Sequence, residues 1–191
     1  DEVKKANPTA TKVEVGADGT ATVTFPDGST ATLTPDKTVK EADANGIKDP
    51  AVKTPVKNPA ALTEDEKAKV ADEVKKANPT ATKVEVGADG TATVTFPDGS
   101  TATLAPEKTV KAADANGIKD PVKTPVKDPA ALTEDEKGKV KDAVKAANPT
   151  ATNVEVGADG TATVTFPDGS TATLAPEKTV KAADANGIKD P

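Results

Sequence analysis

The stretch Thr20–Leu33, Thr-Ala-Thr-Val-Thr-Phe-Pro-Asp-Gly-Ser-Thr-Ala-Thr-Leu, decides the fold. It recurs letter for letter at Thr91–Leu104 and at Thr161–Leu174. Apolar residues alternate with threonine on both sides of Pro-Asp-Gly, which is the period of a half-buried strand. Pro presets φ at the first central turn position, and Gly supplies freedom after Asp. The stretch therefore reads as a β-hairpin. In the second copy Ala92, Val94, Phe96, Ala102 and Leu104 face inward, and Thr91, Thr93, Thr95, Thr101 and Thr103 form an outer ladder.

Outward from the hairpin, Thr82–Val86 also alternates, with Val84 and Val86 inward. Gly87-Ala88-Asp89-Gly90 is a turn into the hairpin, so the three strands make an antiparallel meander. Upstream, Leu62-Thr63-Glu64-Asp65-Glu66 carries a capping box: Thr63 accepts from the backbone three residues on, and Glu66 reaches back. Val70, Val74 and Ala77 recur at helical spacing, and Asn78-Pro79 stops the pattern. The spacing predicts a helix over Glu64–Ala77 that covers the apolar face of the meander. Downstream, Pro106–Pro121 is less regular. Val110, Ala113 and Ile118 are expected on the sheet edge or the helix, and Asn116-Gly117 marks a turn. The fold class is α+β: a tandem repeat of small modules, each one helix followed by a three-stranded antiparallel β-meander. The expected core of one module is Leu62, Val70, Val74, Val84, Val86, Val94, Phe96, Leu104, Val110 and Ile118.

Asp1–Pro50 aligns with Asp72–Pro121 and with Asp142–Pro191. Pro121, Pro125 and Pro129 fall every fourth residue, which favours an extended spacer. The expected organisation is a truncated first module at 1–50 and a Pro-rich linker at 51–55. A second module at 56–121, a linker at 122–125 and a third module at 126–191 follow. The first copy begins in mid-helix and lacks the counterparts of Leu62, Thr63 and Val70. It reads as cut from a longer array and is expected to be the least stable.

Composition removes whole classes of chemistry. The 191 residues contain no Cys, His, Met, Trp, Tyr, Arg or Gln. Disulfides, thiol nucleophiles and thiolate metal sites are excluded without Cys, and the chain suits either side of a cell boundary. The usual neutral-pH base is missing without His. A formal net charge of −6 with every cation a lysine leaves no basic footprint for nucleic acid. No apolar run approaches the ~20 residues that span a membrane.

The remaining candidate sites are weak. Glu41, Asp43, Asn45 and Gly46 resemble the start of a calcium loop, but Ala112 and Ala182 replace the first ligand in later copies. Val52 and Lys123 occupy the position of the bidentate acid that such a loop requires. Glu85, Asp89 and Asp98 fall on turns or exposed faces, where nothing is expected to shift their pKa. Ser100 has no His partner, and the glycines are turn glycines rather than a phosphate loop. The only aromatics, Phe25, Phe96 and Phe166, are expected in the core, so sugar stacking has no platform. No catalytic, cofactor or metal residue is assigned, and the chain is read as not an enzyme. Protein partners are left the Thr face, the Lys-rich helix face and a strand edge.

Phe96-Pro97-Asp98-Gly99-Ser100 between Thr-rich strands resembles the Tyr-Pro-Asp-Gly motif of Rib-type repeats, with Phe in place of Tyr. The wider string from Leu62 to Gly99 is similar to the SSURE-type repeats of streptococcal wall-anchored surface proteins. The likeness runs over essentially the whole chain. It implies an extracellular Gram-positive surface protein, wall-anchored through segments outside this sequence. Two roles are implied for the array. One is a monomeric stalk or spacer that projects a distal adhesin domain. The other is a multivalent adhesive module for a host extracellular-matrix protein such as fibronectin. Neither implies a cofactor, a nucleic acid or a membrane partner.

Overall fold

The structure is a computed structural model and describes residues 1–187. Its regular elements follow from the turns. In both hairpins of each copy, a type I turn runs into a glycine with positive φ. Phe96 N–H donates to Ser100 O at 2.9 Å, Gly99 N–H donates to Phe96 O at 2.9 Å, and Gly99 sits at φ +79°. Gly87, Gly90 (φ +85°) and Thr91 repeat the arrangement one hairpin earlier. Asp89 and Asp98 stiffen these loops, each accepting from the backbone two residues on, at 2.9 Å.

The first copy holds α1 (Glu2–Ala6), β1 (Lys12–Val15), β2 (Ala21–Thr24), β3 (Thr30–Leu33) and α2 (Pro35–Thr38). The second holds β4 (Thr54–Val56), α3 (Glu64–Ala77), β5 (Lys83–Val86), β6 (Ala92–Thr95), β7 (Thr101–Leu104), α4 (Pro106–Thr109) and β8 (Val110–Ala112). The third repeats this as β9 (Thr124–Val126), α5 (Glu134–Ala147), β10 (Asn153–Val156), β11 (Ala162–Thr165), β12 (Thr171–Leu174), α6 (Pro176–Thr179) and β13 (Val180–Ala182). Each meander pairs antiparallel in the order of the sequence, and Val84, Val94 and Ala102 stand in one inward row. The helix begins on the capping box and ends on Asn78, as its sequence predicts. No described helix is long and apolar enough to cross a membrane.

The end of each expected linker is strand. Thr54 and Pro55, and likewise Thr124 and Pro125, lie in short strands that pair in parallel with β8 and β13. Pro fits because the pairing is two-stranded and leaves its nitrogen on an edge. Val56 and Val126 are thereby buried to 0% and 1% exposure and join the two cores. Val56 is absent from the expected core list. Ile118 is on it, but packs against the third core, and the second core takes Ile47 instead. The 3-10 turns Asp43–Gly46 and Asp114–Gly117 place Ala44 and Ala115 in the core of the copy that follows them. A folded unit therefore begins at the Asp-Ala-Asn-Gly-Ile of one repeat and ends after the next Val-Lys-Ala.

That register explains the first unit. Its sheet has the same pairing as the others, but among the described residues only the five-residue α1 packs ahead of it, in place of a 3-10 turn, a parallel strand and a full helix. Phe25 and Leu33 are only half-buried, whereas Phe96 and Leu104 are 5% and 2% exposed. Val39 is 55% exposed, against 7% for its counterpart Val110.

Candidate functional site: the junction between units

The fold gathers its polar order where one unit meets the next. Asp98 closes its own turn by accepting from the Ser100 hydroxyl and N–H, which leaves Oδ2 facing outward. Oδ2 accepts the Asp43 N–H at 2.9 Å, and Ser100 Oγ accepts the Ala44 N–H at 3.0 Å. These are the orphan N–H groups at the start of the 3-10 turn, so a carboxylate is well suited to them. The next junction repeats the geometry: Asp168 Oδ2 accepts from Asp114 at 2.8 Å and Ser170 Oγ from Ala115 at 3.0 Å.

A second clasp lies at the helix end. Asn78 Oδ1 accepts the Lys48 N–H at 2.9 Å, while Asn78 Nδ2 donates to Lys48 O at 2.9 Å and to Val74 O at 2.9 Å. One amide thus grips both faces of an incoming peptide and its own last helical turn. Asn148 does the same to Lys119. Both asparagines are 4% exposed. Ion pairs Lys108–Asp49 and Lys178–Asp120, each at 3.1 Å, add exposed contacts of small individual worth. Between units two and three only Ala113 lies outside regular structure, and its N–H donates to Val56 O at 2.9 Å.

These contacts overturn the expectation that nothing shifts the turn carboxyls. The Ser100 hydroxyl, the Asp43 N–H and the Ser100 N–H hold Asp98 down to about 2. Burial pushes Asp168 up, but the Asp114 N–H and the Ser170 groups prevail and keep it below the usual range. The Thr91 N–H and hydroxyl lower Asp89 in the same manner. The fold brings these carboxylates to backbone N–H groups, which they bind. Glu85 pairs with Lys83 at 2.8 Å on the exposed face. Glu41 accepts from Asn45 Nδ2 at 3.3 Å, and among the described residues no three acidic side chains gather to hold a metal ion.

Asn78 and Lys48 escape sequence reading because Asn-Pro has a sufficient explanation as a helix stop. The available signal was Ile47, Ile118 and Ile188, a large apolar residue after every Asp-Ala-Asn-Gly turn and outside the meander. Ile188 lies outside the described residues.

The model of the atypical Rib domain matches residues 1–42, 45–113 and 116–183. The chain belongs to the atypical Rib domain family. It carries three Rib units in tandem, and the matched boundaries fall at the Asp-Ala-Asn-Gly turns, where the cores also divide. This is a repeat region of the surface-adhesin type that the sequence resembles. Among curated protein sequences, none matches. Among solved structures, the Rib units are similar to the SrpA adhesin from Streptococcus sanguinis at 30% identity, covering 50% of each chain with a TM-score of 0.37. They are also similar to the sialic acid-binding region of the Streptococcus sanguinis SK1 adhesin bound to 3'sLn. That likeness is 19% identical, covers 85% of this chain and 74% of that one, and has a TM-score of 0.35. The chain spans about half the length of the SrpA structures it resembles.

Proposed function

We propose that these Rib units form the stalk of a wall-anchored surface adhesin and hold a distal binding domain away from the cell. The role is mechanical, not enzymatic. The observation that carries it is the junction: the second and third units are each closed by a turn of the preceding repeat. Such a chain resists bending at its joints, since bending must break the junction hydrogen bonds as well as apolar contacts. Near-identical copies suit a spacer, which needs length more than distinct surfaces. Solution scattering on arrays of two and three units tests this. A stiff stalk lengthens by a constant increment per unit, and a compact particle would rule it out. A multivalent adhesive role toward an extracellular-matrix protein is the competing reading. It predicts binding that steepens with copy number.

A further inference from the structure

The second and third units enclose a groove of about 560 Å³. One wall comes from the second unit, through Pro55, Lys57 and Lys69. The other is the strand Thr171–Thr173 of β12, and Asn116 of the docked turn closes one side. β12 is the edge of its sheet. Its hydrogen-bonding phase is set at the turn, where Phe166 N–H donates to Ser170 O. Antiparallel pairing alternates from that point, so Ala172 and Leu174 bond to β11, and the N–H and C=O of Thr171 and Thr173 point outward. Those outward groups have no partner among the described residues. Two donors and two acceptors therefore line the groove at the spacing of alternate strand residues, about 6.8 Å.

The facing wall is cationic. Lys57 and Lys69 are exposed, and neither ammonium group forms a close ion pair among the described residues, although the charge of Lys69 acts on nearby Glu66. Glu66, the acid beside them, is already committed: its two oxygens accept from the N–H groups of Lys57 and Thr63, both at 2.8 Å. We propose that this groove binds an extended acidic peptide of a partner protein, which adds a strand to β12 and sets its carboxylates against Lys57 and Lys69. The open edge selects main chain in extended form, and the lysines select its charge. A volume of this size holds a segment of about four residues. A saccharide would find no aromatic face here and would leave the strand edge unpaired.

The chain contains its own control. Thr101 and Thr103 occupy the same outward phase on β7. The first unit, however, has no counterpart of Pro55, Lys57 or Lys69 to form the opposing wall. The test is fluorescence anisotropy of the intact chain with a labelled pentapeptide, Asp-Val-Thr-Val-Asp, and with its Lys-Val-Thr-Val-Lys counterpart. Thr171→Pro removes one outward N–H without touching the ladder to β11, and Thr101→Pro does the same on the unwalled edge. The proposal expects Thr171→Pro and the pair Lys57→Glu, Lys69→Glu each to weaken acidic-peptide binding at least tenfold. Thr101→Pro should change it less than twofold, and the basic peptide should fail to bind. Equal loss from both proline variants, equal binding of the two peptides, or no binding at millimolar peptide would overturn it. So would capture of a sialylated oligosaccharide in place of the peptide.

Discussion

Replacing Asn78 by Ala tests the clasp that joins the first two units. The side chain is 4% exposed and makes three hydrogen bonds, two to the peptide of Lys48 and one to Val74 O. At about 0.5–1.5 kcal/mol net for each, with Lys48 left without its partner, the expected loss is about 2–3 kcal/mol. The first unit supplies the comparison. Asn7 is the equivalent residue, is half-buried, and makes only the bond to Val3 O at 2.9 Å. Asn7→Ala should therefore cost about 0.5–1 kcal/mol. The chain has no Trp or Tyr, so scanning calorimetry is the suitable assay. For a unit of this size the Asn78→Ala loss lowers the melting temperature by roughly 10–20 °C. Equal shifts for Asn78→Ala and Asn7→Ala would refute the reasoning, because the junction bonds would then contribute nothing.

Three further predictions follow from single residues. Thr54 Oγ1 is buried on β4 with no hydrogen-bond partner among the described residues, so Thr54→Val should stabilise the second unit by about 1–2 kcal/mol in urea unfolding. Asp98 is lowered from 3.8 to about 2. A lowered carboxyl contributes fully above its ordinary value and loses that contribution as pH falls through the folded value. The first junction should hold at pH 5 and loosen between about pH 4 and pH 2, read from the Asp43 amide by NMR, with Asp98→Asn abolishing that transition. A Cβ on Gly90, at φ +85°, would meet Val110 Cγ1 at 2.9 Å, while Gly99, at φ +79°, has open space. Both alanine variants incur the positive-φ cost of about 1–2 kcal/mol, but Gly90→Ala should lose at least about 1 kcal/mol more by chemical unfolding, because a core methyl must move.

Within each unit, what the sequence made plain was local. The Thr-x-Thr alternation, the glycine after Asp and the capping box each act over a few residues. They led to the meander and to helix bounds that match α3. What escaped was set by contacts between distant segments. Thr54 and Pro55 read as Pro-rich spacer because a strand of three residues, Thr54–Val56, is too short to show a strand period. Their strandedness comes from Val110–Ala112, more than fifty residues away. The Asp-Ala-Asn-Gly turn looks like the end of one module, yet Ala44 is buried in the core of the next and Ile47 packs against it. Asp98 looks solvated until a second segment brings its N–H groups to it. The first copy was legible for the opposite reason. The absence of Leu62, Thr63 and Val70 counterparts is visible in the letters, and the half-exposed Phe25 is its consequence.

Successive units are clamped to one another through the Asp98 and Asn78 contacts and their repeats at Asp168 and Asn148. With no cysteine in the chain, Lys83→Cys and Asn153→Cys place one spin label at the same exposed position of the second and third units. Pulsed electron–electron resonance between them reads their separation directly. Clamped units give a single narrow distance that broadens when Asn148→Ala and Asp168→Ala open the junction. A broad distribution in the unaltered junction, unchanged by those substitutions, would contradict it.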